Sequence, residues 1–176
     1  MGIKLIISIG NPGKEYERSY HNAGHIALRI LKEKVGSTVP LLASSEFMNR
    51  SGSFVGREAR QKGVKAQQIL ILHDDSDLPL GTAKLDFNRG AGGHNGVADI
   101  IATLQTQEFY RLRIGVRKKT WFWSRRKKAG EFVLKQMPKK DEEMLRDSIE
   151  SNIEKITRLL SQSNSPQTNT FHQDSL

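Results

Sequence analysis

At 176 residues and 19.8 kDa, with 36% hydrophobic and 27% charged residues, the chain suits one globular domain with its own core. It has no cysteine, which excludes disulfides, thiolate nucleophiles and cysteine-ligated metals. Its formal charge of +9 favours a polyanionic partner such as nucleic acid, with a basic surface kept for solubility as the competing reading.

Ile3 to Ile9 is nearly all apolar, which predicts a strand buried on both faces. The run is too short for a secretory signal, and no stretch approaches the ~18 apolar residues of a membrane span, so a soluble, cytoplasmic protein is expected. The strand stops at Gly10-Asn11-Pro12-Gly13, and a short polar loop then leads to His21 and Asn22 at a helix entry. In open α/β sheets ligands bind beyond the carboxyl ends of the strands, so this loop forms one wall of the expected site. Ala23, Ile26, Ala27, Ile30, Leu31 and Val35 follow at helical spacing, and Gly36 is a natural stop.

Val39 to Ala43 predicts a second strand, and Phe54, Val55 and Ala59 mark a second helix. Ile69 to Leu72 predicts a third strand that closes in His73-Asp74-Asp75-Ser76-Asp77, before a turn at Pro79 and Gly81. Ala83 to Phe87 alternates like a strand with one covered face. A glycine-rich loop, Arg89 to Gly96, then enters a helix that buries Val97, Ile100, Ile101 and Leu104. Leu112 to Val116 is a further strand, followed by the most basic segment, Arg117 to Lys128, in which Trp121-Phe122-Trp123 is embedded. Beyond Pro138, one amphipathic helix is expected to carry Met144, Leu145, Ile149, Ile153, Ile156, Leu159 and Leu160 on a shared face. Residues 161–176 read as a disordered polar tail to a domain spanning 1–160. Strands alternating with helices imply an α/β sandwich.

Asn11, His21, Asn49, Asp74, His94 and Asn95 gather at these sites. Asparagine amides donate and accept without titrating. A histidine near its unperturbed pKa takes a proton from water, and a carboxylate holds its other nitrogen in the required tautomer. With no cysteine and no G-x-S-x-G elbow, direct attack by water is the economical mechanism. Each residue also has a plainer reading: His21 as a capping or surface group, Asn11-Pro12-Gly13 as a turn, and Asn49 as a helix cap. The Gly92-Gly93-His94-Asn95 loop either turns the chain or cradles an anion. His73, Asp74, Asp75 and Asp77 could hold Mg²⁺, but strand alternation should point His73 and Asp74 apart, so metal is the minority reading. For Arg117 to Lys128, base stacking and phosphate contact rank first, a solvated loop second and a membrane interface third.

In chain order the motifs are G-N-P-G-x-x-Y at Gly10 to Tyr16, H-N-x-G at His21 to Gly24 and F-M-N-x-S-G at Phe47 to Gly52. H-D-D-x-D-L-P-x-G at His73 to Gly81, G-G-H-N-G at Gly92 to Gly96 and R-L-R-I-G at Arg111 to Gly115 complete the set. From Ile3 to about Leu160 the chain thus resembles the bacterial-type peptidyl-tRNA hydrolase family. The resemblance implies a single-domain α/β/α sandwich with a mixed twisted sheet, usually monomeric and using no metal or other cofactor. It implies cleavage of the ester between a peptide and the terminal ribose of tRNA, recycling tRNA from prematurely released chains. His21 would be the general base and Asp74 its support. Asn11 would sense the peptide's amide, Asn49 and Asn95 would position the substrate and stabilise the oxyanion, and Tyr16 and Phe47 would line the cleft. Lys84, Arg111 and Arg113 would meet phosphates of the tRNA acceptor arm.

Four features depart from the family pattern. The chain looks shorter by a strand and its turn between the first helix and Phe47. Tyr20 stands where relatives usually have arginine, and Asp86 where many carry a second phosphate-binding lysine. Arg117 to Lys128 replaces a less basic loop over the cleft. The alternatives to the enzyme are a non-catalytic RNA-binding relative and a metal-dependent phosphoesterase built on His73, Asp74, Asp75 and Asp77.

Overall fold

A computed structural model of the chain describes residues 2–36, 38–118 and 132–162. Five strands form one mixed sheet in the order β2-β1-β3-β5-β4. These are β1 (Leu5–Ser8), β2 (Leu41–Ala43), β3 (Ile69–Pro79), β4 (Ala83–Phe87) and β5 (Tyr110–Arg117). β2, β1, β3 and β5 run parallel, and β4 returns antiparallel to β5.

Side-chain alternation along the central strands builds two cores. Ile6, Leu70, Leu72, Leu112 and Ile114 pack with buried residues of α1 (Ala23–Val35), α4 (Lys139–Glu150) and α5 (Ile153–Ser161). Leu5, Ile7, Ile69 and Ile71 pack with α2 (Ser51–Gln61) and α3 (Asn95–Leu104). Both faces of β1, and of β3 from Ile69 to Asp74, are therefore dry, as their unbroken apolar runs require. The result is the expected α/β/α sandwich. α1 sits tight against the sheet where β1 ends beside β3: a Cβ on Gly24 would lie 2.3 Å from the Leu72 carbonyl oxygen and 2.8 Å from that of Ile9. Only glycine permits that approach, and it brings the helix entry over the sheet rim.

β2 ends the sheet on one side, and among the described residues no strand lies between α1 and β2. Two expectations need correction. β3 does not close at Leu72 but continues through the acidic run to Pro79, pairing His73 with Arg113, Asp74 with Ile114 and Asp75 with Gly115. The neighbouring strand supplies the cations that make this possible: Arg113 Nε donates to Asp75 Oδ2 at 2.7 Å, and Arg117 pairs with Asp77 at 3.7 Å.

The single C-terminal helix is in fact two, α4 and α5, broken at Ser151-Asn152. There the Asn152 N–H bonds the Ile149 carbonyl, a tighter turn than the α-helix makes, while its side-chain amide donates to Ala83 O at 3.2 Å and Ser148 O at 3.0 Å. Met144 lies off the buried face of α4, which Asp141, Leu145, Ser148 and Ile149 form, and it is 39% exposed. The Trp121-Phe122-Trp123 cluster and the polar tail beyond residue 162 lie outside the described residues.

Candidate active site

The site is built around Asp74, which is 2% exposed midway along β3, just past Leu72, the last residue there that pairs with β1. Its Oδ1 meets two histidines, His21 Nδ1 at 2.8 Å and His94 Nε2 at 2.9 Å. His21 lies in the short 3₁₀ turn Tyr20–Asn22 that opens α1, and His94 is the N-cap of α3. The tautomers follow from the partners. His94 Nδ1 accepts the Val97 N–H at 3.3 Å, so its Nε2 carries the proton and donates to Asp74. Burial alone would raise the Asp74 pKa, but His94 and the hydrogen bonds from His21 and His94 outweigh it and hold the carboxyl well below its usual range. An ionised Asp74 accepts from His21 Nδ1–H, which leaves His21 Nε2 with a free lone pair.

His73 lies behind this group. Its ring meets that of His94 edge-on, with centroids 4.9 Å apart, and its Nδ1 donates to Asp74 O at 2.6 Å. Burial first, and then His94, keeps His73 neutral. His73, Asp75 and Asp77 do not converge on a cation: Asp75 and Asp77 face Arg113 and Arg117. Among the described residues, the one group spaced for a metal is His21, Asp74 and His94, whose ligand atoms lie within 4.8 Å of one another. Both histidine nitrogens that face Asp74 already hydrogen-bond it, so an ion there would have to displace those bonds.

Asn11 is clamped in the first loop. Its backbone N–H donates to Asn22 Oδ1 at 2.8 Å, and Asn22 Nδ2 returns a bond to Asn11 O at 2.9 Å. Asn11 Oδ1 accepts the Met48 N–H at 2.9 Å, which fixes the amide's orientation and ties this loop to Phe47-Met48. Phe47 is 52% exposed beside that contact, and Tyr16 is half-buried in the loop's own 3₁₀ turn. Asn49 and Asn95 are both exposed, the first in the turn before α2 and the second opening α3 beside His94. Asn49 is not a helix cap, since Arg50 occupies that position without a side-chain bond.

The cations divide. Lys84 is exposed on β4, but Arg111 and Arg113 are 1% and 6% exposed. Arg111 donates to the carbonyls of Arg89 and Gly90, pinning the glycine-rich loop that leads to His94. Burial, then Arg113 and Arg89, lowers its pKa to about 10, so it stays charged at neutral pH. Arg113 bridges Asp75 and Asp86, with Nη1 2.8 Å from Asp86 Oδ2. Both guanidiniums brace the sheet and loop from within; the family resemblance implied that they meet acceptor-arm phosphates.

Two sets of contacts missed by sequence reasoning fasten the His21 turn. Tyr20 OH donates to Asp141 on α4, and Lys118 pairs with the same carboxylate at 2.7 Å while its ammonium lies 5.7 Å from the Tyr20 ring centroid. On the other side, His21 N–H donates to Val133 O at 2.8 Å and Met137 N–H to Arg18 O at 2.8 Å, around an antiparallel bridge from Ser19 to Gln136. No local sequence signal links residues so far apart. The role of His94 was within reach, because the glycine-rich loop that carries it follows a strand.

The family model for peptidyl-tRNA hydrolase matches residues 30–176. A peptidyl-tRNA hydrolase of Cupriavidus pinatubonensis is 38% identical, across 88% of this chain and 89% of its own. That of Cupriavidus necator is 44% identical, across 65% of this chain and 68% of its own. The crystal structure of peptidyl-tRNA hydrolase from Acinetobacter baumannii superposes with a TM-score of 0.79 at 29% identity, covering 92% of this chain and 90% of that one. Sequence, sheet order and the histidines gathered on Asp74 lead to one assignment: this chain belongs to the peptidyl-tRNA hydrolase family.

Proposed function

We propose that the chain hydrolyses the ester joining a peptide to the terminal ribose of tRNA, with His21 as general base and Asp74 as its support. The observation that carries this is the 2.8 Å bond from His21 Nδ1 to an ionised, buried Asp74. It leaves Nε2 to take a proton from water as the oxygen attacks the ester carbonyl. The tetrahedral oxyanion then collapses, and the imidazolium returns its proton to the departing ribose oxygen. Asp74 stabilises that imidazolium without itself taking the proton.

Asn11 has its Oδ1 held by Met48, so its amide donors are the groups turned to the substrate's peptide. A peptide carbonyl accepts such a donor. An unblocked α-ammonium does not, which would reject aminoacyl-tRNA. Asn49 and Asn95, exposed on either side, would position the ester and donate to the oxyanion. Tyr16 and Phe47 would pack against the peptide and the terminal base. Lys84 would meet an acceptor-arm phosphate, with Arg111 and Arg113 supporting the surface beneath it. The protein would act as a monomer in the cytoplasm. No described helix is long and apolar enough to cross a membrane.

The test is release of N-blocked amino acid from acylated tRNA in the presence of EDTA, with unblocked aminoacyl-tRNA as control. Cleavage of the blocked substrate alone is expected, with a loss of roughly 10²- to 10⁴-fold in His21→Ala, the range of a general base. Activity within a few-fold of wild type in that variant would refute the base assignment. No cleavage by the wild type, with salt-sensitive tRNA binding retained, would instead favour the non-catalytic RNA-binding reading.

A further inference from the structure

A pocket of about 380 Å³ lies between the first loop and the face of α1 that carries Asn22, His25 and Arg29, with Lys14 and Glu17 also in its lining. Asn11 and Asn22 are its wall toward the catalytic histidine, and neither His21, Asp74 nor His94 lines it. The reciprocal bonds between Asn11 and Asn22 make that wall rigid.

At its base, Ser8 Oγ lies 2.7 Å from His25 Nδ1. Ser8 is fully buried, and among the described residues its hydroxyl has no other acceptor, so it donates to Nδ1. His25 is thereby fixed as the Nε2–H tautomer. Among the described residues that Nε2 has no hydrogen-bond partner, and it is not one of the buried polar atoms sealed off without one, so its donor opens onto the pocket. Gly10 backs the ring so closely that a Cβ there would lie 2.6 Å from Nε2. Burial first, and then Arg29, lowers the His25 pKa to about 4, which makes it a neutral donor at physiological pH. Lys14 and Arg29 are exposed and form no ion pair among the described residues, and neither does Glu17.

We propose that this pocket binds a phosphate-bearing nucleotide, either free or as one unit of an RNA strand. The phosphate would sit among His25 Nε2–H, the Lys14 ammonium and the Arg29 guanidinium, with Glu17 accepting from a ribose hydroxyl. The volume falls within the range of small-ligand sites and far exceeds what a lone phosphate needs. An acid in the lining disfavours a bare anion and suits a ligand that carries hydroxyl donors beside its phosphate. The pocket shares Asn11 with the proposed peptide contact but none of His21, Asp74 or His94, so its fate does not depend on the assignment of His21.

The test follows the His25 ring resonances by NMR across a pH series, with AMP and a CCA trinucleotide as alternative probes. His25→Gln identifies the signal, and His21→Ala shows that the effect is independent of hydrolysis. A saturable shift is expected, with the His25 pKa raised by about one unit because a neighbouring anion favours imidazolium. Lys14→Ala and Arg29→Ala should each weaken binding at least fivefold, leaving kcat on N-blocked aminoacyl-tRNA unchanged. Tighter binding of AMP would identify a free nucleotide. Tighter binding of the trinucleotide, with a raised KM for tRNA in Arg29→Ala, would identify an RNA strand. Failure of both probes to shift His25 would overturn the proposal, as would an undiminished shift in the Lys14→Ala/Arg29→Ala double variant.

Discussion

Replacing Asp74 by asparagine separates the carboxylate's charge from its shape. An asparagine amide oxygen can still accept at the Oδ1 position, and Asp74 Oδ2 carries no hydrogen bond among the described residues, so an NH₂ is tolerated there. The fold should survive. What is lost is attraction to the imidazolium that would form as His21, the proposed base, takes the water proton. The 2.8 Å contact places the two charge centres roughly 4 Å apart, where full charges interact by about 4 kcal/mol at an effective dielectric of 20. The ring carries only part of that proton in the transition state, so about 2–3 kcal/mol is at stake. This converts to a fall in kcat of roughly 30- to 160-fold. Asp74 is buried behind the histidines, so KM for N-blocked aminoacyl-tRNA should hold. Steady-state release of the blocked amino acid, checked by a thermal melt, measures both. A kcat within threefold of wild type in a folded variant would refute the support role. So would a change in KM with kcat intact.

Two further outcomes concern stability. Arg113→Met leaves the carboxylates of Asp75 and Asp86 together without their shared cation, and should destabilise the fold by about 2–4 kcal/mol in urea. A shift below 0.5 kcal/mol would mean that solvent already screens this bridge. Acid should act early through the neutral imidazoles: His25, with its pKa lowered to about 4, and His73, also lowered, resist protons that the unfolded chain takes up below about pH 6.5. Their stability is complete above that pH and is lost as it falls toward 4, about 3 kcal/mol of it from His25. The depressed Asp74 carboxyl works lower down: its stabilisation is present above about pH 4 and is lost as the pH falls toward its folded value. Urea midpoints at pH 7.5 and 4.5 should therefore converge in His25→Gln, and an unchanged gap would remove His25 from the account.

Periodicity and glycine placement made most of the fold legible. The apolar runs of β1 and β3 report burial on both faces, and Gly36 and Pro138 mark real boundaries. What periodicity missed depended on partners distant in sequence. The acidic run reads as a turn unless Arg113 and Arg117 are known to lie beside it. Asn152 reads as one more helical residue unless Ala83 O is known to be waiting for its amide. Within the site, His21 and Asp74 could be paired by chemistry before they could be paired in space, and the structure brings them to 2.8 Å. His94 stands out in its glycine-rich loop, but nothing in the sequence says that it shares the Asp74 Oδ1 with His21, because that meeting depends on how α3 is docked. Arginine in a strand likewise gives no sign of which way it faces, and Arg111 and Arg113 face inward.

The turn bearing His21 is gripped from both directions, by Lys118 through Asp141 and Tyr20, and by Val133 through the histidine's own N–H. Both grips come from chain far from His21 in sequence, and neither uses the nitrogens of its ring. The position of the imidazole is therefore inherited from the packing of α4 and of residues 132–137 rather than from its own turn. Substitutions at Asp141 or around Val133 can thus move the ring without changing any group that its nitrogens meet, so over evolutionary time the aim of His21 is guarded by residues its nitrogens never touch.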